Sequence, residues 1–224
     1  VIVLPHLPRA VLWDMDGTLV DSADSHWEAW RDVMAAAGRP ISYGEFLASF
    51  GQRNDTILRG WLGEDTPDNL IARIGDEKEA RYRALVRKRG IALLPGAAEW
   101  LERLRAGGWR QAIGSAAPRA NIEAIIAALG LEGVFDAIVS AEDVRRGKPD
   151  PQVYALAAER LGVPPARAVV VEDAPAGVEA GRRAGARTVG VGPKHAALGA
   201  DIHARWLSDL PPDTFERLVL RDAC

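Results

Sequence analysis

The feature that most limits how this chain folds is an alternation. Short apolar runs at 10–13, 111–114, 137–139, 168–171 and 188–191 read as buried strands, and punctuated helical patterns separate the later ones. In "DPQVYALAAERLG", Asp150 is expected to cap a helix that has Pro151 first and stops at Gly162. "APRANIEAIIAALG" is expected to run from about Pro118 to Gly130, and "APAGVEAGRRAG" from Pro175 to Gly185. Strand and helix in turn predict an α/β protein with a parallel sheet covered on both faces. A further strand at 205–207 and a helix at 212–221 are expected to close it. Between the first two strands the rhythm changes. Residues 22–90 carry helical patterns only, at 24–37, 43–49, 54–62 and 67–89, the last with Thr66 as its expected cap and Pro67 as its first residue. The expectation is a core of residues 1–21 and 91–224 with an all-helical cap domain, 22–90, inserted between them.

A chain of 224 residues is long enough for a substantial core. Its net charge of -3, with both signs mixed, argues against a nucleic-acid partner without excluding a small anion. Cys224 is the only cysteine, so no intrachain disulfide forms, which suits a reducing cytoplasm. No apolar run approaches the roughly 20 residues that span a bilayer, so no membrane partner is expected. The opening "VIVLPHLPRA" does not read as a signal peptide.

In open parallel sheets ligands bind at the carboxyl ends of the strands. Four of the expected strands deliver polar groups to that edge: Asp14 and Asp16 after the first, Ser115 after the second, Lys148 in "GKPDP" after the third, and Glu172 with Asp173 after the fourth. Asp14 and Asp16 are two apart and project to one side while the backbone stays extended. With Glu172 and Asp173 they suit a hard cation such as Mg²⁺. Lys148 and the Ser115 hydroxyl suit a tetrahedral anion beside it, and Gly17 permits a tight turn whose N–H groups could also face that anion. A carboxylate nucleophile, a metal, a lysine and a second carboxyl for proton transfer compose a phosphoryl-transfer site. The less specific readings are that Asp14 and Asp16 end a strand, Asp173 caps a helix and Lys148 lies on the surface.

"DMDGTLVD", "GSA", "GKPDP" and "VVEDAPAGV", in that order, resemble the four motifs of the haloacid dehalogenase superfamily of phosphotransferases. The resemblance implies a Rossmann-like core, Mg²⁺ and an aspartyl-phosphate intermediate. Asp14 would be the nucleophile, and Asp16 the general acid/base with its backbone carbonyl on the metal. Ser115 and Lys148 would hold the phosphate, Asp173 would ligate Mg²⁺, and Glu172 would act directly or through water. A general acid works best when partly protonated, so Asp16 is expected to be held in that state. The helical insertion, "HWEAW" with His26 and Trp30, and Lys78 are similar to the beta-phosphoglucomutase and sugar-phosphatase branch. Two departures favour a phosphatase of a small phosphorylated metabolite, such as a sugar phosphate, over the mutase. Ala116, Ala117 and Pro118 follow Ser115 where mutases carry a serine and a lysine. In "GQRND", Arg53 comes one position early, with Asn54 at the place of the mutase arginine. His26 reads as a hinge or packing residue and Trp30 as a wall of the substrate pocket. A receiver-type signalling module shares the acidic pocket but has no cap.

Overall fold

The computed structural model describes residues 8–220. The opening stretch weighed as a signal peptide (except Pro8, Arg9 and Ala10), Arg221 and Cys224 lie outside them. The sheet strands are β1 (Ala10–Trp13), β2 (Arg110–Gly114), β3 (Ala137–Val139), β4 (Ala168–Glu172), β5 (Arg187–Gly190) and β6 (Ile202–His203). They pair in the order β3-β2-β1-β4-β5-β6, all parallel. Helices are α1 (Ala23–Ala36), α2 (Tyr43–Ser49), α3 (Asn54–Leu62), α4 (Asp68–Arg89), α5 (Ala97–Ala106), α6 (Arg119–Leu129), α7 (Gln152–Leu161), α8 (Pro175–Arg183) and α9 (Thr214–Leu220). This is the expected Rossmann-like α/β architecture with helices inserted after the first strand.

Strand side chains alternate between faces, and the two halves of the core follow that period. Val11, Trp13, Ile113, Val169 and Val171 meet Leu101, Ile122 and Phe215 on one face. Leu12, Ala112 and Val170 meet Tyr154, Ala157 and Ala180 on the other. Burial on both sides explains why the central strands read as nearly continuous apolar runs. The inserted helices enclose their own cluster, built from Trp30, Met34, Phe46, Leu58 and Ile74. α4 joins the two bodies: Ile71 and Ile74 belong to the inserted cluster, whereas Tyr82, Leu85 and Val86 pack into the sheet's core.

Four local expectations are corrected. Thr66 does not cap α4; its hydroxyl donates to Gly63 O at 2.8 Å, and Pro67 stands at the cap position. The last strand is at Ile202–His203 rather than 205–207, where it pairs with Val189 and Gly190. α5 was not anticipated, because its N-cap, Gly96, has φ +86° and no side chain to signal a helix start. Asp150 does not stand at the cap of α7 either: Pro151 holds that position, and Asp150, one residue earlier, accepts from Gln152 N at 3.1 Å.

Candidate active site

Parallel strands in register end together, and this brings the four loops to one place. Asp14 leaves β1 with its N–H donating to Val171 O on β4, 3.0 Å away. Ser115 leaves β2 with its N–H donating to Val139 O on β3, also 3.0 Å. Glu172 is the last residue of β4, and Asp173 follows it. Lys148, from the loop after β3, places Nζ 2.5 Å from Asp14 Oδ1 and 2.5 Å from Glu172 Oε1. Its side chain is 6% exposed, so the surface reading of this lysine does not hold.

The turn after Asp14 needs its glycine. Gly17 has φ +83°, and a Cβ there would run into the Asp173 carboxylate. The Gly17 N–H donates to Val20 O at 3.0 Å, closing the turn. That donor is therefore spent and does not face an anion, contrary to the expectation. Ser115 Oγ accepts from Ala117 N at 3.1 Å, which leaves its hydrogen to donate into the cavity it lines.

Glu172 is fully held: Oε1 accepts from Lys148 and, at 2.8 Å, from the Tyr154 hydroxyl, and Oε2 accepts from Asp173 N and Ala174 N. Glu172, not Asp173, thus serves the backbone at the start of α8. Asp173 is left to the site.

Oxygens of Asp14, Glu172 and Asp173 lie within 4.8 Å of one another. Three carboxylates share one ammonium, and the pKa values register the imbalance. Burial, helped by Glu172 and Asp16, raises Asp14 to about 7 against the pull of Lys148. Burial and the charges of Glu172 and Asp14 push Asp173 upward as well. Excess negative charge on hard oxygen donors is what a divalent cation such as Mg²⁺ balances, so the residues fit that ion. Asp16 stands outside this oxygen set and turns to His26 Nε2, 3.3 Å away. Burial acts to raise Asp16, but the His26 side chain, with the Lys78 charge behind it, outweighs burial and lowers the pKa. The expected partly protonated Asp16 is therefore corrected: here it is held ionised.

Behind His26 a buried chain continues into the inserted helices. Lys78 Nζ lies 2.8 Å from His26 Nδ1 and donates to Glu79 Oε1 at 2.8 Å. An ammonium only donates, so Nδ1 accepts and the proton sits on Nε2, facing Asp16. His26 is a link in this chain as well as a packing residue, stacked on Tyr82 at 3.9 Å between ring centroids. Trp30 lines the cavity beside Asp14 and takes Lys78 Nζ over its ring at 5.0 Å. Asn54 reaches the same cavity and donates to Glu79 Oε1 at 2.7 Å.

Arg53 is placed differently. Its guanidinium donates to Ala141 O at 2.6 Å and Val144 O at 3.1 Å and pairs with Asp55, strapping the start of α3 to the loop that leads to Lys148. Arg53→Ala is expected to lower kcat/KM about 3–10-fold, mostly through KM, by weakening closure of the inserted helices over the site. Steady-state kinetics checks this, and an unchanged KM would rule out the strap.

Glu79, Asn121 and Tyr154 were missed in the sequence. Glu79 had a signal: Ile71, Ile74, Lys78, Glu79, Tyr82, Leu85 and Val86 form one buried stripe on α4, and only two of them are charged. Asn121 and Tyr154 had none, since each is a single residue on the inner face of its helix.

Comparison with known proteins identifies the family. Residues 8–185 match the haloacid dehalogenase-like hydrolase family. Hexitol phosphatase A of Escherichia coli is 36% identical over 186 residues, covering 82% of each chain. Beta-phosphoglucomutase of Bacillus subtilis is 31% identical over 217 residues, covering 90% of this chain and 91% of its own. The crystal structure of CbbY from Rhodobacter sphaeroides in complex with phosphate superposes with a TM-score of 0.82 at 29% identity, covering 91% of this chain and 96% of the other. The chain belongs to the haloacid dehalogenase-like hydrolases, as a phosphoric monoester hydrolase or phosphotransferase.

Proposed function

We propose that this protein is an Mg²⁺-dependent phosphatase of a small phosphorylated sugar or polyol, acting through a phosphorylated Asp14. The observation that carries the proposal is Lys148 bridging Asp14 and Glu172 beside Asp173, where the strands end. The division of labour follows residues 1–21 and 91–224 as catalytic core and 22–90 as cap. The phosphatase and mutase named above give the substrate class.

Asp14 and Asp173 would hold the metal, and Glu172, with all four acceptor positions taken, would keep Lys148 beside them. When bound, the ion supplies positive charge to the phosphoryl oxygens and to Asp14. Lys148 and the Ser115 hydroxyl bind and orient the phosphoryl group. An Asp14 oxygen attacks phosphorus as the ester P–O bond breaks, and the departing alcohol oxygen takes a proton from Asp16. Water then attacks phosphorus and gives its proton to Asp16, the Asp14–phosphorus bond breaks, and inorganic phosphate leaves. Because Asp16 is ionised in the free protein, the proton must come with substrate binding. An arriving phosphoryl group adds negative charge beside Asp16 and moves its pKa upward, the direction a donor needs.

Ala116, Ala117 and Pro118 offer no charged side chain to a second phosphate, which favours hydrolysis over transfer back to the sugar. The test is a screen of phosphorylated metabolites with Mg²⁺, reading inorganic phosphate, beside conversion of beta-glucose 1-phosphate primed with the bisphosphate. Phosphate release from a monoester at many turnovers is the expected result. Efficient isomerisation without phosphate release would make the protein a mutase instead.

A further inference from the structure

The cavity that reaches Asp14, Asp16 and Ser115 holds only about 40 Å³. A water-sized probe needs about 10–15 Å³, so this space takes a phosphoryl group and not a sugar. The rest of a substrate must lie elsewhere. A cleft of about 450 Å³ opens alongside, between α3, α4 and the loops after β2 and β3, and shares Asn54, Glu79 and Ala116 with the small cavity. Resting on the phosphatase reading above, we propose that this cleft takes the uncharged, hydroxyl-bearing end of a phosphate monoester, and that Glu79 selects against a substrate with a second phosphate.

The cleft's charge balance carries the argument. Its wall holds Asp55, Asp76, Glu79 and Glu142 against Arg53 and Arg83. Arg53 is engaged by Asp55 and two backbone carbonyls; Arg83 donates to the neutral Asn121 Oδ1 at 2.9 Å and keeps its charge, so the acids on the wall outnumber the cations by two. Glu79 stands where the two spaces meet and is 5% exposed. It accepts from Lys78 and Asn54 at Oε1 and from Asn121 at Oε2. A carboxylate has about four acceptor positions, so one remains for a substrate hydroxyl. A phosphate in the same place meets the Glu79 carboxylate on a wall whose net charge is negative, a juxtaposition that discriminates between ligands.

The test is calorimetric binding of glucose 6-phosphate and glucose 1,6-bisphosphate, with Mg²⁺, to the full chain carrying Asp14→Asn, so that neither ligand is turned over. The monophosphate is expected to bind about tenfold more tightly. Adding Glu79→Gln, which keeps the side chain's shape, is expected to bring the two affinities together. Asp76→Asn, on the exposed wall with no buried partner to lose, is expected to move the ratio the same way by less. The inference is overturned if the bisphosphate binds as tightly as the monophosphate, if neither ligand binds, or if both variants leave the ratio unchanged. Wild-type turnover tests the underlying reading separately: the expected binding pattern with no phosphate released from any monoester would reject the phosphatase and leave the cleft's selectivity standing.

Discussion

Asp14→Asn is expected to lower phosphate release about 10⁴-fold or more while leaving the protein folded. Asparagine matches aspartate in shape, so the Asp14 position on β1 and the neighbouring loops have no reason to move. What it lacks is a carboxylate oxygen able to attack phosphorus. The substitution also has a predictable effect on stability. Asp14 is one of three carboxylates sharing Lys148, and its pKa is raised to about 7 because burial and its acidic neighbours disfavour its charge. Removing that charge relieves repulsion, so in chelator at pH 8 the variant is expected to melt no lower than the wild type. Steady-state phosphate assays and thermal melts check the two halves together. Activity within tenfold of wild type would exclude Asp14 as nucleophile, whereas inactivity with a collapsed Tm would show only that the site had been damaged.

The residues legible in the sequence are those whose positions follow from strand ends. Asp14, Ser115, Lys148, Glu172 and Asp173 each lie at or just past a recognisable apolar run or in the loop that follows it, and parallel register does the rest. What stayed hidden depends on which helix faces meet. Glu79 becomes a cleft residue because α4 turns it toward Asn121 on α6 and Asn54 on α3, and spacing along one helix does not say which partner another helix presents. Arg53 and Asn54 are adjacent yet diverge, one to the backbone of a core loop and one to Glu79. Short elements failed for a local reason. β6 has two residues, too few for any periodicity, and α5 lacks the side-chain cap that announces a helix. Asp16 lies in the cavity with Asp14 and Ser115, but its charge state depends on His26, whose approach no linear pattern reveals.

Removing the metal is expected to abolish turnover, and the stability that Mg²⁺ confers is expected to grow as pH rises from 5 to 8. The sign follows from the raised carboxylates. Asp14 titrates near 3.8 when unfolded and at about 7 when folded without a cation. Below the first value both states are protonated and the group is neutral to stability. Through the window between them the unfolded chain ionises freely while the folded chain resists, so the metal-free protein loses stability as pH rises. Asp173, also raised, adds to the loss in the same sense. A divalent cation binds the deprotonated form, so it competes with protons at pH 5 and opposes the loss at pH 8. At about 100 times its dissociation constant a ligand contributes about 2.7 kcal/mol, or about 5–10 °C in Tm for a chain of this length. The measurement is the Tm difference between Mg²⁺ and chelator at each pH, which cancels every group that titrates alike in both. Asp173→Asn is expected to flatten that difference. A gap that stays constant with pH, or is larger at pH 5, would mean that Asp14 and Asp173 do not hold the ion. Turnover that survives chelation would remove the metal from the reaction while leaving Asp14 as the group that attacks.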